Sequence, residues 1–260
     1  MLMKRSMSKI LAVMCLVILS AAACIASDEV LTQVSTIDAL MTGIYDGTTS
    51  LGELRKNGDL GIGTLNALDG ELVLVDGVFY QATSDGRAVK PDLSARTPFA
   101  VVTFFSADRS ARLKEGSNFQ EFTETTEKCF PSRNIFYAVK LKGTFRSVKT
   151  RSVPSQKRPY RPLAEIVKTQ PVFDLENIAG TMVGFWSPSY VKGINVPGYH
   201  LHFISSDGKA GGHVLDFTAA DITAEFDDTR EFSLILPADN DFDKADLDRD
   251  RAAELKAVEK

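Results

Sequence analysis

The most constraining feature of this sequence is that all of its histidines lie within fourteen residues of one another. They are His200, His202 and His213, and the remainder of the 260 residues contains no other histidine. Neutral imidazole is a preferred ligand of zinc and similar ions, and three imidazoles can hold a catalytic metal while leaving one coordination position open. The grouping therefore predicts a metal site.

The spacing of the histidines predicts how the chain presents them. His200 and His202 are two residues apart in an apolar and aromatic run, 199–204, which favours a strand with both imidazoles on one face. A turn-rich segment follows, and a second strand begins at His213. If the hairpin closes symmetrically about Asp207 and Gly208, His213 lies directly across from His202, and all three imidazoles converge on one face. The alternative is three polar residues on a solvated strand face.

The N-terminal 26 residues are typical of a secretory signal peptide. Three basic residues precede an apolar run over 10–19, and a small-residue zone suited to cleavage follows at 20–26. The apolar run is too short for a stable transmembrane span. We therefore expect an exported protein, secreted or periplasmic. A lipid anchor at Cys24, which follows three alanines, is the alternative.

Charge and cysteine content narrow the classes of partner. The leader carries three basic residues and no acidic one, so its removal would change the formal net charge from −4 to −7. An acidic protein is a poor candidate for binding nucleic acid or an anionic membrane surface. Cys129 would be the only cysteine of the mature chain, which precludes an intramolecular disulfide bond. The partner that we expect is a small-molecule substrate, with no nucleic acid and no membrane span.

Hairpin signals dominate the chain, and no regular alternation of strand and helix is present. The sequence predicts a mixed α/β class (α+β-like), with two domains built on mixed, largely antiparallel β-sheets and short flanking helices. A proline-rich segment, 153–162, suggests a boundary between residues 27–153 and residues 154–260, the second of which carries the histidine hairpin and a C-terminal tail helix. Predicted strands cover 61–66, 71–75, 78–83, 98–105, 134–151, 178–186 and 231–236. Predicted helices cover 36–41, 117–130, 163–168, 219–226 and the charged tail 243–260.

Two further residues are candidates for the site. Glu71 opens a predicted strand after a tight turn and shares a face with Val73, and a carboxylate on an apolar face needs a partner such as a metal. Arg151 shares a face of a basic strand with Lys149, and its planar guanidinium suits a substrate carboxylate. The alternatives are that Glu71 simply reaches solvent and that the basic strand with Arg151 is a solvated strand edge.

Several motifs together resemble the bacterial α-acetolactate decarboxylases. They follow one another over nearly the whole mature chain: LMTGIYDG at 40–47, GDLGIGTL at 58–65, LDGEL at 68–72, RSVPSQ at 151–156, PYRPL at 159–163, GYHLHF at 198–203 and GGH at 211–213. The resemblance implies a zinc-dependent carboxy-lyase that converts 2-acetolactate to acetoin and CO2. The implied route is a metal-stabilised enediolate that is protonated on one face. It also implies a two-domain mixed α/β fold and a homodimer.

The resemblance also assigns roles to residues of this chain. It makes the three histidines zinc ligands and Glu71 a further ligand and acid/base candidate. Arg151 would grip the substrate carboxylate, and Thr64 would line the substrate site. A glutamate near the C-terminus would also reach the metal and act in catalysis, with Glu259 as the best positional match and Glu254 as the second.

Two other functions stay open at this point. A His-x-His pair with a later histidine on strands also resembles a cupin-like metal-dependent oxygenase, although the glutamate that the cupin motif places after the pair is missing here. A non-catalytic exported metal-binding protein is the other alternative, but a structural site is usually closed by four protein ligands. Metal content, oxygen dependence and release of CO2 from acetolactate would separate the three functions.

Overall fold

The structure, a computed structural model, describes residues 29–259 as fourteen strands and six α-helices. The strands are β1 (Val30–Val34), β2 (Thr49–Ser50), β3 (Leu60–Thr64), β4 (Glu71–Val75), β5 (Val78–Ala82), β6 (Ala88–Val89), β7 (Arg96–Thr97), β8 (Phe99–Thr103), β9 (Arg109–Arg112), β10 (Phe136–Arg151), β11 (Val172–Ser187), β12 (Gly198–Ser205), β13 (Gly211–Thr229) and β14 (Glu231–Ile235). The helices are α1 (Ile37–Thr42), α2 (Leu51–Leu54), α3 (Phe119–Cys129), α4 (Leu163–Ile166), α5 (Asn240–Asp243) and α6 (Ala252–Val258). The predicted class, mixed sheets with short helices, is confirmed.

The first sheet has seven strands in the order β14-β1-β8-β3-β4-β5-β6. Its pairings are antiparallel except that between β1 and β14. β8 lies between β1 and β3 and is buried along its whole length, as its nearly continuous apolar run predicted. The hairpin of β4 and β5 turns at Asp76 and Gly77, both of which have positive φ angles.

The second sheet has five strands in the order β10-β11-β12-β13-β9, and all of its pairings are antiparallel. β10 also pairs with β13, so that the ladders of β10, β11, β12 and β13 close into a ring. The long strand β10 makes this ring possible, because it pairs along nearly its whole length with β11 on one side and with β13 on the other, and β12 joins the ends of β11 and β13. The histidine strands are held on both sides by this arrangement.

One core joins the two sheets. Ile62 and Val73 of the first sheet pack in the same buried cluster as Val183 and Ile204 of the second. The strands also cross the predicted boundary after residue 153: β14 belongs to the first sheet, whereas β9 and β10 belong to the second. The division into residues 27–153 and 154–260 stays a prediction.

The predicted helix over 219–226 is wrong, because these residues form part of β13. Alanine-rich local sequence favours a helix, but the segment pairs with β10 and buries Ala219, Ile222 and Ala224. A register shift at Ala219 breaks the simple alternation of buried residues, so the strand pattern is hidden in the sequence.

The predicted helix over the tail 243–260 is also wrong in its extent. Only α6 is helical beyond Lys244 among the described residues, and an irregular segment precedes it. Asp246 and Asp250 accept hydrogen bonds from backbone N–H groups two residues further along the chain. Such local bonds compete with helix formation, which explains the interruption.

The leader and Cys24 lie outside the described residues. Among the residues that are described, no helix has the length and apolar character needed to cross a membrane. Cys129, at the end of α3, is exposed and carries a free thiol.

Candidate metal centre and active site

The histidine hairpin forms in the predicted register. His202 lies directly across from His213, on β12 and β13. Gly212 has a φ of +151°, and a Cβ at this position would lie 2.6 Å from the carbonyl oxygen of Arg151. Glycine therefore allows β13 to approach β10 closely beside His213.

The three imidazoles converge in one buried cluster. Their ring centroids are 5.0 to 5.4 Å apart, and one ring nitrogen from each residue lies within 4.8 Å of the other two. Nδ1–H of His202 donates a hydrogen bond of 2.8 Å to the carbonyl oxygen of Leu72 on β4. This bond fixes the tautomer of His202, so Nε2 carries the lone pair, and it joins the hairpin to the first sheet.

The imidazoles are electrically neutral and available as ligands. Burial lowers the pKa of His200 to about 3 and holds the pKa of His202 and of His213 well below the usual value. Nδ1 of His200 and Nε2 of His202 are buried and have no hydrogen-bond partner among the described residues. Buried polar atoms without partners are costly, and a metal ion would satisfy Nε2 of His202. The cluster could therefore hold a metal.

Glu71 enters the cluster from the first sheet. It opens β4, lies opposite Thr64 in the β3–β4 ladder, and is buried. Its Oε2 atom is 3.5 Å from Nε2 of His202. Burial raises the pKa of Glu71 to about 7, although Arg151 opposes the shift and Glu259 adds to it. The strand-end glutamate thus points inward and not to solvent.

Glu259 enters the same cluster from the C-terminal end of α6. Its Oε2 atom is 3.6 Å from Nε2 of His213 and 3.8 Å from Nε2 of His200. Burial raises the pKa of this carboxyl group to about 7, against the opposing effect of Arg151. Glu254, the second candidate, forms an ion pair with Arg249 at the surface. The structure therefore brings Glu259, and not Glu254, into the cluster.

Arg151 is a buried cation between the two carboxylates. Its guanidinium nitrogens are 3.9 Å from Oε1 of Glu71 and 3.9 Å from Oε1 of Glu259, and Nη1 donates a 2.9 Å hydrogen bond to Oε1 of Gln170. Nε is buried and has no hydrogen-bond partner among the described residues. A planar donor held in this way is suited to an incoming anion.

Lys149 and Arg151, which are predicted to share a strand face, differ in burial. Lys149 is half-exposed and lies 3.9 Å from Asp174, whereas Arg151 is buried. A register shift between Lys149 and Thr150 interrupts the ladder with β13. Irregularities of this kind increase strand twist, which explains why the two side chains differ in burial.

Thr64 lines the cavity but uses its hydroxyl group locally. That hydroxyl donates a 2.7 Å hydrogen bond to the carbonyl oxygen of Gly70, which fixes the turn before Glu71. Gln170, which orients Arg151, was not predicted, because nothing in its sequence surroundings marks it. The apolar walls of the cavity were also not predicted as site residues, although most of them lie within or beside the quoted motifs: Ile37, Leu40, Leu68, Phe99, Val153 and Leu163.

Comparison with known proteins gives the family. A family model described as alpha-acetolactate decarboxylase matches residues 31–249. An alpha-acetolactate decarboxylase of Methanosarcina mazei is 48% identical over 234 residues, which cover 90% of this chain and 81% of that protein. The Bacillus licheniformis protein of the same name is 44% identical over 228 residues, which cover 87% of this chain and 90% of that protein.

A solved structure agrees with these matches. The crystal structure of alpha-acetolactate decarboxylase from Bacillus subtilis strain 168 superposes with a TM-score of 0.86 at 43% identity, covering 88% of this chain and 98% of that one. The family model ends before Glu259, so the place of that residue in the cluster rests on its contacts with the histidines. The resemblance found in the sequence motifs is confirmed, and the chain belongs to the alpha-acetolactate decarboxylase family of carboxy-lyases.

Proposed function

We propose that this protein converts 2-acetolactate to acetoin and CO2 with the aid of a zinc ion held by His200, His202 and His213. The observation that carries the proposal is the meeting of three neutral imidazoles, two carboxylates and one guanidinium in a single cavity. Family membership supports the reaction, because the relatives are named for it.

The donor set suits zinc. Nitrogen ligands from three imidazoles are typical of catalytic zinc, and Glu71 and Glu259 would supply oxygen ligands beside them. Such an ion acts as a Lewis acid, which here would stabilise the negative charge that develops on the substrate oxygens as CO2 leaves.

Arg151 would hold the substrate by its carboxylate. Gln170 accepts a hydrogen bond from Nη1 of Arg151, and the guanidinium lies 3.9 Å from both Glu71 and Glu259 at the cavity. When the bond between the carboxylate carbon and C2 breaks, the electron pair stays on C2 and spreads onto the neighbouring ketone oxygen as an enediolate. A carboxylate held in one orientation keeps the breaking bond parallel to the π orbitals of that ketone group.

Glu71 or Glu259 would complete the reaction by donating a proton to C2. Glu71 approaches the imidazoles at His202, whereas Glu259 approaches them at His200 and His213. The two carboxyl groups therefore reach the cavity from different elements, and a proton delivered by one of them would give a single enantiomer of acetoin. Water would then return a proton to the carboxylate.

The cellular setting is part of the proposal. A basic and apolar leader supports export to a secreted or periplasmic location, and Cys24 supports lipid anchoring as the alternative. The family resemblance supports a homodimer.

Acetoin formation from racemic acetolactate by purified residues 27–260 tests the proposal. We expect acetoin and CO2 in the zinc-loaded protein, loss of both after treatment with a chelator, and recovery with zinc. A folded, zinc-loaded protein that forms neither product would refute the proposal and favour a metal-binding protein. Product formation that requires oxygen would favour a cupin-like oxygenase.

A further inference from the structure

The C-terminal segment, residues 244–259, must be held in place by the rest of the protein. Its only helix, α6, has seven residues, which is too few for a stable helix in isolation. Leu255 and Val258 anchor one face of α6, because both are buried in the core cluster that joins the two sheets. Glu259 follows at once, and its N–H group donates a 3.0 Å hydrogen bond to the carbonyl oxygen of Leu255.

Arg251 organises the irregular part of this segment. Its side chain is buried, and its guanidinium donates hydrogen bonds of 2.7 Å to the carbonyl oxygen of Asp246 and 3.1 Å to that of Arg249. These bonds close the irregular turn directly before α6 begins. Among the described residues, no carboxylate forms a direct ion pair with this guanidinium, so its buried charge depends on more distant compensation.

Asp38 is a carboxylate that shares a surface cleft with Arg251. Asp38 and Arg251 line the same cleft, and Asp38 is buried in the first turn of α1. Burial raises the pKa of Asp38, and the charge of Arg251 acts in the opposite direction. α1 also supplies Ile37 and Leu40 to the wall of the catalytic cavity. Residues of α1 and α6 therefore line the same cleft, and Glu259, which follows α6, lines the catalytic cavity together with Ile37 and Leu40.

We propose that Arg251, opposed by Asp38, is a positioning residue that fixes the C-terminal segment against α1 and thereby keeps the Glu259 carboxylate beside His200 and His213. Arg251 touches none of the reacting groups and acts only through the placement of Glu259. The expected effect on turnover rests on the proposed function, because it requires Glu259 to act in the decarboxylation.

Substitution of Arg251 in the full chain tests this role. We expect Arg251→Met to speed hydrogen exchange of the backbone amides of α6, because the turn before the helix opens, and to leave β12 and β13 protected. We expect kcat to fall by about tenfold with little change in KM, as is usual when the support of a metal-site residue is lost. The visible absorption of the Co2+-substituted protein should also change, because Glu259 would leave the ion.

Three further variants make the test specific. Arg251→Lys keeps the charge and should recover part of the lost kcat and of the lost amide protection. Asp38→Asn should change both quantities in the same direction as Arg251→Met, but by less. Arg249→Met is the matched control, because Arg249 lies in the same turn but is exposed, and Glu254 is its one ion-pair partner among the described residues. It should leave exchange, kcat and the Co2+ spectrum unchanged.

Two results would overturn the inference. Unchanged amide exchange in Arg251→Met would show that Arg251 does not hold the segment. Faster exchange with unchanged kcat and Co2+ spectrum would show that the segment need not be held for Glu259 to reach the site. Failure of the proposed function would look different: the unsubstituted zinc-loaded protein would form no acetoin, whereas the exchange and Co2+ measurements would still report on Arg251.

Discussion

The hairpin that carries the three histidines and the C-terminal segment that carries Glu259 meet in one cluster, but they are held in different ways. β12 and β13 lie inside a closed ring of ladders, and every histidine on them is buried. The C-terminal segment contributes no strand to either sheet and is anchored by Leu255, Val258 and Arg251. The difference indicates that the three histidines are the most rigidly held groups of the cluster. Glu259, by contrast, is held by the C-terminal segment, which can open locally without unfolding of the two sheets.

Loss of a hairpin histidine should have the largest effect. We expect His213→Ala to lower kcat/KM by about a thousandfold or more, because it removes one of three nitrogen ligands and several kcal/mol of charge stabilisation. Steady-state assays of acetoin formation measure this. Ser206→Ala, at an exposed position in the same hairpin turn, is the control and should keep full activity. A fully active His213→Ala protein would remove the basis for a metal site on the hairpin.

Loss of Arg151 or of the Glu71 charge should be nearly as severe. We expect Arg151→Ala and Glu71→Gln to abolish most turnover while the circular dichroism spectrum stays that of the folded protein, since both side chains act inside the cavity. Lys149→Ala, on the same strand as Arg151 but half-exposed, should have little effect. Full activity in both cavity variants would show that these two residues are wrongly assigned.

Glu259 and Glu254 offer a direct test of the C-terminal segment. We expect Glu259→Gln to lower kcat by about a hundredfold, the range in which a positioned proton donor contributes. Glu254→Gln should change kcat little, because its carboxylate pairs with Arg249 at the surface. Equal effects of the two substitutions would contradict the placement of Glu259 in the site.

The smallest expected effects are on stability, and they should differ between the second sheet and the C-terminal segment. We expect Leu201→Ala, in the buried core of the second sheet, to lower the free energy of unfolding by about 3 kcal/mol. Val258→Ala should mainly speed amide exchange in α6 and lower kcat, with a smaller change in the denaturation midpoint. Urea denaturation combined with hydrogen exchange distinguishes these outcomes. An equally large drop in global stability for both variants would show that the two regions unfold together.

The sequence alone predicted those features correctly that depend on residues close together in the chain. The register that places His202 opposite His213 follows from the turn at Asp207 and Gly208, so local spacing predicted it correctly. The inward position of Glu71 likewise follows from the turn that precedes β4 and the apolar residues that share its face.

Other parts of the fold and the site depend on contacts that are distant in the sequence. Residues 219–226 become a strand because β10 pairs with them, and local alanine content gave the opposite prediction. The place of Glu259 came from family resemblance, because charge and spacing in the tail do not distinguish it from Glu254. Gln170 matters only once β10 has brought Arg151 to it, and no local pattern records that contact.

Zinc stoichiometry tests the central claim most directly. The purified, unsubstituted protein and its His200→Ala, His202→Ala and His213→Ala variants would be dialysed against zinc at a fixed free concentration and analysed for bound metal. One zinc per chain in the unsubstituted protein, and its loss in each variant, is the predicted result. Equal zinc in all four proteins, with each still folded, would contradict the claim that the histidine hairpin is the metal centre of this enzyme.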